Sequence, residues 1–452
     1  MFKIFFKQSL VYNTFIISAL YGIDLIFAPM FQRYLLLLSL GFLSFNTFSQ
    51  DTLYARKVIN DLCAPSFYGR GYVKKGDKKA ANYIASEFKS LNLKNFKNSY
   101  FQDFQFSVNT FPKNVEVTLN GKRLIPGVDF LVNPSSPSCN FKGTVEFVPI
   151  ADLNTSEHYD NKGYHLKAAV LDTFTPAYFE EAAITLKKYG ADYKKQLLIL
   201  LSNNKLTWSS SSRVAKVPVI TLLSSSFDRT KPAVFELSVT NKFYAPYTSQ
   251  NVVGYVEGTR FKDSFVVITA HYDHLGMMGK SAMFPGANDN ASGVAMMLNL
   301  AKYYSQNPQT FSVVFIAFSG EETGLIGSKY FVDHPLFPLD NIRFLLNIDL
   351  MGNGADGVMT VNAMVYTKEF LLLKSINDAS NYLPAIKARG KAKNSDHYWF
   401  SEAGVPSFFF YLMGPYPHYH DVNDKAANVP LTNFSEAFQL FRDFVSLVQK
   451  NH

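Results

Sequence analysis

The sequence predicts an α/β fold with a doubly wound, mixed but mainly parallel sheet, helices on both of its faces, and a β-rich inserted domain. After Thr248, near-continuous apolar segments such as SFVVITAHYD and FSVVFIAFS alternate with segments of helical periodicity. This alternation is typical of a parallel sheet that is covered on both faces. In residues 113–240, by contrast, short apolar or alternating runs are separated by Gly, Pro, Asn and Ser, a pattern that predicts strands and turns.

The elements of the α/β part are predicted individually from their periodicity. Helices are predicted for Lys78–Leu93, Ala291–Ser305, Glu322–Val332, Thr367–Ala379 and Phe434–Gln449, where apolar residues recur at helical spacing. Strands are predicted for the mostly apolar segments VVGYVEG, SFVVITAHYD, FSVVFIAFS, IRFLLNIDL, GVMTVNA and VPSFFFYL.

The first fifty residues have the features of a targeting region. The apolar run LLLLSLGFLSF follows Met30 and Arg33 and precedes the polar NTFSQ, which is the layout of a secretory signal peptide over residues 30–49. The run is shorter than the about 20 apolar residues that a membrane span needs. We therefore expect Met30 to be the true start, and the protein to be exported to the periplasm or the extracellular space without a membrane span in its mature form. A signal anchor is the alternative.

Composition and charge narrow the classes of function. The chain has 452 residues with 47% hydrophobic and 18% charged residues, which is the composition of a globular protein. Its net charge of +8 is spread along the chain without a Lys- or Arg-rich block, so no nucleic-acid partner is expected. Whether the two cysteines, Cys63 and Cys139, pair or remain free thiols stays open.

Acidic and histidine residues recur in the second half of the chain in settings that suit a metal centre. They are His271 in ITAHYDHLG, Asp289 in PGANDNASG, Glu321 and Glu322 in FSGEETGLIGS, Asp349 in NIDLMG and His420 in YPHYHDVND. Each lies at or just after the C-terminal end of a predicted strand, where open α/β sheets place their sites. Two imidazoles and three carboxylates suit zinc, and one carboxylate is left for proton transfer. The pattern therefore predicts a metallohydrolase.

Local context suggests roles for the first residues of this set. His271 and Asp273 are two positions apart, so both side chains point to one face of an extended segment, and Asp273 is placed to accept the second ring N–H of His271. Asp289 lies in a loop of small residues that leads into a helix. Its carboxylate is expected either to cap that helix or to bridge two cations about 3.5–4 Å apart.

The remaining residues leave more than one interpretation open. Glu321 and Glu322 follow a buried strand and are expected to open a helix, either as charges that complement the helix dipole or as a base and a ligand. Asp349 ends an apolar strand, where an unpaired carboxylate is costly and a metal is the simplest partner. Spacing alone does not choose among the histidines of the loops, which are His420, His418, His274 and His397.

The motifs HYDH, GANDNASG, GEETGLIGS, NIDLMG, SDHYWF and YHDVND together resemble the co-catalytic di-zinc peptidase family. That family includes bacterial leucyl-type aminopeptidases, glutamate carboxypeptidases, and the related glutaminyl cyclases and transferrin receptors. The resemblance covers about residues 250–452 and extends to the helix at 78–93. The whole sequence therefore predicts a targeting region at 1–50, a first part of the peptidase domain at 51–112, a β-rich insertion at 113–240 and a di-zinc core at 241–452. The insertion resembles the protease-associated domain of secreted peptidases.

The resemblance also implies roles for the site residues. Two zinc ions are expected per chain, with His271 and Asp349 on one, Glu322 and His420 on the other, and Asp289 between them. Glu321 is implied as the general base and Asp273 as the residue that orients His271, with a cis peptide bond after Asp289. The last motif departs from the family, because Asp421 and Val422 replace the Thr and the following Pro of the more frequent YHT pattern. Asp424 still matches the family's downstream aspartate, which favours His420 over His418.

The leading interpretation is an exported zinc exopeptidase that acts on peptide substrates, namely an aminopeptidase that removes N-terminal residues with a metal-activated water. A carboxypeptidase of the same family is the first alternative, and it would need cationic groups such as Arg389, Lys391 and Lys393 for the substrate carboxylate. A glutaminyl cyclase with one zinc and a non-catalytic receptor-type protein are the others. Both are disfavoured because none of the implied ligands is missing. The side-chain preference and the oligomeric state stay open.

Overall fold

The structure is a computed structural model that describes residues 52–147, 168–171 and 197–450. The predicted targeting region at 1–50, with its signal peptide at 30–49, lies outside the described residues, as does part of the predicted insertion. Within the described ranges, no helix combines the length and the apolar character that crossing a membrane requires. Cys63 and Cys139 are both free thiols.

The α-helices of the described ranges agree with most of the predicted ones. They are α1 (Thr52–Leu62), α2 (Gly76–Ser90), α3 (Gly293–Gln306), α4 (Ile326–Asp333), α5 (Thr367–Ser380), α6 (His397–Glu402) and α7 (Phe434–Val448). Helices α2, α3, α5 and α7 lie within a few residues of their predicted positions, whereas α1 and α6 were not predicted.

The strands of the same ranges form two large sheets and a short hairpin. In chain order they are β1 (Phe101–Thr110), β2 (Val115–Leu119), β3 (Lys122–Arg123), β4 (Phe130–Val132), β5 (Cys139–Phe147), β6 (Ala168–Leu171), β7 (Leu197–Ser202), β8 (Val219–Leu223), β9 (Ala233–Val239), β10 (Lys242–Val256), β11 (Phe261–His271), β12 (Gly276–Met278), β13 (Ala282–Phe284), β14 (Phe311–Phe318), β15 (Ile342–Asp349), β16 (Gly357–Val361), β17 (Ile386–Ala388) and β18 (Ser407–Met413).

The first sheet has eight strands in the order β1-β10-β14-β11-β15-β18-β16-β17. Its central strands β14, β11, β15 and β18 run parallel, and antiparallel pairs flank them. Alternate residues of β11 enter two different cores: Ile268 packs in a cluster with α1, α2, α3 and α7, and Val267 packs in another with α4 and α6. The predicted mixed, mainly parallel sheet with helices on both faces is therefore confirmed.

The second sheet forms the predicted β-rich insertion, with the strand order β3-β2-β9-β5-β6-β7-β8-β4. It is inserted between β1 and β10, which pair with each other antiparallel. The apolar core of the second sheet includes the β12–β13 hairpin, which follows β11 of the first sheet. Met278 and Phe284 of this hairpin pack among side chains of the second sheet. The assignment of this region as a protease-associated-like domain remains a prediction.

The prediction that a helix opens at Glu322 is wrong, because α4 begins only at Ile326. Gly324 and Leu325 have φ angles of +116° and +60°, and residues with left-handed backbone cannot continue an α-helix. The glutamates lie instead in a tight turn, in which the N–H groups of Gly324 and Leu325 both donate 2.9 Å hydrogen bonds to the Glu321 carbonyl. The turn displays both carboxylates at the end of β14.

Candidate metal centre

The predicted ligands come together at the C-terminal edge of the first sheet. His271 is the last residue of β11 and Asp349 the last of β15, while Glu322 lies in the turn after β14. Asp289 lies in the single turn Ala287–Ser292 that leads into α3, and His420 lies in the loop after β18. The parallel strands therefore carry residues from distant parts of the sequence to one place.

The carboxylate of Asp289 lies between two groups of ligand atoms. Its Oδ1 is 3.3 Å from Nε2 of His271, which is also 3.3 Å from Oδ2 of Asp349. Its Oδ2 is 3.0 Å from Nε2 of His420, which in turn is 3.3 Å from Oε2 of Glu322. Each oxygen of Asp289 thus faces a separate histidine–carboxylate pair, as a bridging ligand would.

His274 also joins the cluster, whereas the other two rival histidines do not. Nδ1 of His274 is 2.6 Å from Oε1 of Glu322, so His274 and His420 lie on different oxygens of the same carboxylate. His418 has its Nδ1 3.4 Å from Asp421, outside the cluster. His397 is buried against the ring of Phe409, 5.3 Å away, and burial lowers its pKa to about 3.

The density of buried charge shifts the pKa values of the cluster in opposite directions. Burial, and then the like charges of Asp396 and Glu322, raise the pKa of Glu321 well above its usual range. Burial also works to raise the pKa of Glu322, but the neighbouring His420 and His274 outweigh it and hold that pKa at about 2. Burial works to lower the pKa of His420, yet Glu322 and Asp289 raise it to about 11.

These residues fit zinc by the chemistry of their donors. In the described part of the chain, the ion pairs of Asp289, Glu322 and Asp349 are all made with histidines, so protons alone supply the positive charge between them. The buried Oδ1 of Asp349 and Nε2 of His274 have no hydrogen-bond partner among the described residues. Imidazole nitrogens and carboxylate oxygens bind zinc, which can replace such protons as the source of charge.

Asp273 lies beside the cluster, but its carboxylate does not accept the predicted hydrogen bond from His271. Nδ1 of His271 is 3.2 Å from the backbone carbonyl of Asp273 and 3.8 Å from its carboxylate. The carboxylate instead accepts hydrogen bonds from the Tyr72 hydroxyl at 2.8 Å and from the Glu321 N–H at 3.3 Å. The backbone of Asp273 is therefore the nearer group to orient His271, and its side chain holds the turn that carries Glu321.

The loop that carries Asp289 has the expected backbone. The peptide bond between Asp289 and Asn290 is cis, which confirms the expectation from the family resemblance. The Asn290 side chain donates a 3.0 Å hydrogen bond to the carbonyl of Ile348, one residue before Asp349, and so links this loop to β15.

Arg70 is a supporting residue that the sequence did not reveal. Its side chain is fully buried and donates hydrogen bonds to the carbonyls of Tyr272 at 2.8 Å, Pro285 at 2.6 Å and Gly286 at 2.7 Å. These carbonyls flank His271 on one side and Asp289 on the other. Nothing in the segment YGRGYV indicates that its arginine is buried or that it binds distant carbonyls.

Two of the three candidate cations for a carboxypeptidase, Lys391 and Lys393, are engaged elsewhere. Lys391 pairs with Glu402, and both side chains are largely exposed. Lys393 lies over the ring of Trp399, 4.6 Å from its centre. Arg389 is exposed, and its backbone pairs with Thr360 at the edge of the sheet.

Comparisons with known proteins find relatives among zinc peptidases. Residues 251–445 match the family described as Peptidase family M28. Aminopeptidase YwaD of Bacillus subtilis is 26% identical over 385 residues, which cover 80% of this chain and 78% of that protein. A probable zinc metalloprotease of Pyricularia oryzae is 34% identical over 117 residues, 25% of this chain and 23% of that protein.

The fold is also that of a solved zinc aminopeptidase. The structure of BSAP, a zinc aminopeptidase from Bacillus subtilis, aligns with a TM-score of 0.66 and 21% identity, and covers 88% of this chain and 94% of that one. The region that matches the family contains all the predicted ligands, and the histidine–carboxylate cluster lies at the sheet edge where the fold places a site. The chain is a zinc metallopeptidase whose residues 251–445 match peptidase family M28.

Proposed function

We propose that this protein is an exported aminopeptidase that holds two zinc ions and removes N-terminal residues from peptides. The observation that carries the proposal is the position of the Asp289 carboxylate, with one oxygen toward His271 and the other toward His420. One zinc would be held by His271 and Asp349, the second by Glu322 and His420, and Asp289 would bridge them. The apolar run after Met30 supports export.

Zinc bound at such a centre polarises the scissile carbonyl and lowers the pKa of a water molecule. Glu321 is placed to serve as the general base, because its neighbour Glu322 is a ligand and the turn after β14 displays both side chains. Burial and like charges raise the pKa of Glu321, which makes its carboxylate a stronger base. The proton that Glu321 takes up is then available for the leaving amine.

Asp273 and Tyr72 contribute by holding the base in place. The Asp273 carboxylate accepts the Glu321 N–H, and the Tyr72 hydroxyl fixes that carboxylate from the other side. Thr323 completes this set, since its hydroxyl lies 3.1 Å from the Tyr72 hydroxyl. The backbone of the turn is therefore fixed on both sides of Glu321.

An aminopeptidase is favoured over a carboxypeptidase by the charges of the site. The cluster is rich in carboxylates, which attract the free α-ammonium group of a peptide. Recognition of a C-terminal carboxylate normally relies on arginine or lysine. Lys391 and Lys393 are engaged with Glu402 and Trp399, away from such a task. The names of the relatives YwaD and BSAP, both aminopeptidases, agree with this choice.

A panel of matched peptides tests the proposal. One peptide sequence is offered with a free N-terminus, with an acetylated N-terminus, and with an amidated C-terminus. We expect cleavage of the free and the amidated forms, and none of the acetylated form. A Glu321→Gln preparation serves as the control for contaminating peptidases. Cleavage of the acetylated peptide that is lost on amidation would replace the aminopeptidase with the carboxypeptidase.

A further inference from the structure

The loop between β7 and β8 of the second sheet reaches the His420 loop of the metal centre. The Trp208 N–H donates a 2.9 Å hydrogen bond to the His420 carbonyl, and the Trp208 carbonyl is 2.9 Å from Nδ1 of the His420 ring. Nε2 of the same ring faces Asp289 and Glu322. When Nε2 is the ligand atom, Nδ1 carries the ring proton and its N–H donates a hydrogen bond to the Trp208 carbonyl. This hydrogen bond sets the tautomer and the ring plane.

The Trp208 carbonyl is itself held firmly by the second sheet. The Trp208 side chain is buried, with 6% of its surface exposed. Its indole N–H donates a 2.7 Å hydrogen bond to the carbonyl of Val132 in β4, and its ring stacks on Phe284 at 4.7 Å. The position of the acceptor for His420 is therefore set by the packed core of the β-rich insertion.

Lys205 holds the same loop from the other side. Its Nζ lies 2.6 Å from Oδ2 of Asp421 and donates hydrogen bonds to the carbonyls of Pro417 at 2.7 Å and Tyr419 at 3.1 Å. Asp421 is the residue at which this chain departs from the YHT pattern, and its carboxylate is almost buried. A carboxylate in that place needs a cationic partner, and the second sheet supplies it.

The backbone of His420 also needs such support. Its φ angle is +54°, in the left-handed region that non-glycine residues occupy at a cost of about 1 kcal/mol. A strained conformation persists where the surrounding contacts determine it. The hydrogen bonds of Trp208 to His420 and of Lys205 to Tyr419 act directly at this point of the chain.

We propose that Lys205 and Trp208 are positioning residues for the ligand His420, so that the β-rich insertion controls how tightly the zinc ion at Glu322 and His420 is held. This inference rests on the proposed function, because it takes His420 to be a zinc ligand. The insertion is then part of the metal centre. Its effect is specific, since His271 and Asp349 receive no contact from Lys205 or Trp208 in the described structure.

Zinc affinities of Lys205 variants test the inference. The purified full-length protein is stripped of metal, and zinc is titrated in competition with a chromophoric chelator, which gives a dissociation constant for each site. We expect Lys205→Met to weaken one of the two sites by about 10-fold or more, the usual effect of losing a residue that supports a ligand, and to leave the other unchanged. Lys205→Arg keeps the charge and should restore the affinity.

A matched control comes from the same sheet. Lys142 pairs with Glu236 at 2.7 Å on an exposed face, and Lys142→Met should change neither site. Trp208→Phe, which loses the hydrogen bond to Val132, should weaken the same site as Lys205→Met. The metal-free Lys205→Met protein should keep the native circular dichroism spectrum, although losing the partner of Asp421 lowers its melting temperature. A general loss of structure would change the spectrum.

The outcomes separate this inference from the proposed function. Unchanged affinities in Lys205→Met, or an equal loss at both sites, would overturn the positioning role while leaving the two-zinc aminopeptidase intact. A native protein that binds fewer than two zinc ions, or a His420→Ala variant that keeps both affinities, would overturn the proposed function and this inference with it.

Discussion

The carboxylate of Asp424 accepts a 3.1 Å hydrogen bond from the backbone N–H of Asp289, across 135 residues of sequence. Its second oxygen accepts the N–H of Asn288 at 2.8 Å, and the Tyr416 hydroxyl donates to the same oxygen at 2.7 Å. The loop that carries His420 therefore also fixes the backbone of Asp289. This contact gives a physical reason for the aspartate that the sequence comparison matched to the family.

Replacement of the bridging residue should affect both metal sites. We expect Asp289→Ala to lose zinc from both sites, because each oxygen of Asp289 faces a different histidine–carboxylate pair. His420→Ala should weaken mainly one site. The zinc content of each variant after dialysis checks this, with His418→Ala as a control that keeps both ions. Loss of a single zinc from Asp289→Ala would contradict the bridging role.

Removal of the base should separate catalysis from metal binding. Glu321→Gln keeps the shape of the side chain but cannot accept the proton, so kcat should fall by about 10²–10⁴. The zinc content should stay at the native value, because Glu322 supplies the ligand. Steady-state kinetics and metal analysis of the same preparation check both statements. Near-normal turnover would show that another group is the base.

Arg70 should stabilise the fold and the metal centre together. Arg70→Met removes the donor to the buried Tyr272 carbonyl, at about 1–3 kcal/mol. The Gly286 carbonyl then keeps only the Ala291 N–H, and the Pro285 carbonyl only the weak Cys63 thiol donor. We therefore expect the free energy of unfolding to fall by about 1–3 kcal/mol or more. Denaturant titration of the metal-free protein checks this, with the exposed Arg260→Met as control. Equal stability of Arg70→Met and the native protein would contradict it.

Asp77 should make stability depend on pH. Burial raises its pKa to about 6, against opposing hydrogen bonds from Tyr247 and Ser249. The folded state therefore binds a proton that the unfolded state releases near its ordinary pKa, and stability from this group falls by about 3 kcal/mol as the pH rises from about 4 to about 6. Asp77→Asn should lack this fall.

Unfolding curves of the metal-free native protein and Asp77→Asn at several pH values check that prediction. The stability of the variant relative to the native protein should rise between about pH 4 and pH 6 and then stay constant. A difference that does not change with pH would show that the pKa of Asp77 is not raised in the folded protein.

The site residues at the ends of strands could be predicted from the sequence. The residues that support them through contacts between distant segments could not. His271 and Asp349 end apolar strands, so their place at the sheet edge follows from periodicity and strand direction. The residue pattern predicts a helix that begins at Glu322, but left-handed backbone at Gly324 and Leu325 delays its start to Ile326. That conformation depends on tertiary contacts.

Contacts between distant segments escaped prediction for a different reason. Trp208 and His420 are 212 residues apart, and the hydrogen bonds between them use only backbone atoms of Trp208, which any residue possesses. The five hydrogen bonds of Arg70 could not be predicted for the same reason, because their acceptors are backbone carbonyls. Side-chain chemistry reveals ligands, whereas the groups that hold the ligands are recognised only once the chain is folded.

The entry and exit of the β-rich insertion have a consequence for protein engineering. Thr110 and Lys242 are directly paired at the ends of β1 and β10, so the two chain ends lie about 5 Å apart, and a short hairpin turn would connect them without disturbing the first sheet. A protein shortened in this way would nevertheless expose Met278 and Phe284 to water, and Nδ1 of His420 would lose the Trp208 carbonyl as its hydrogen-bond acceptor. Shortening this protease to its catalytic half would thus require a redesigned hairpin surface and a new acceptor for the histidine.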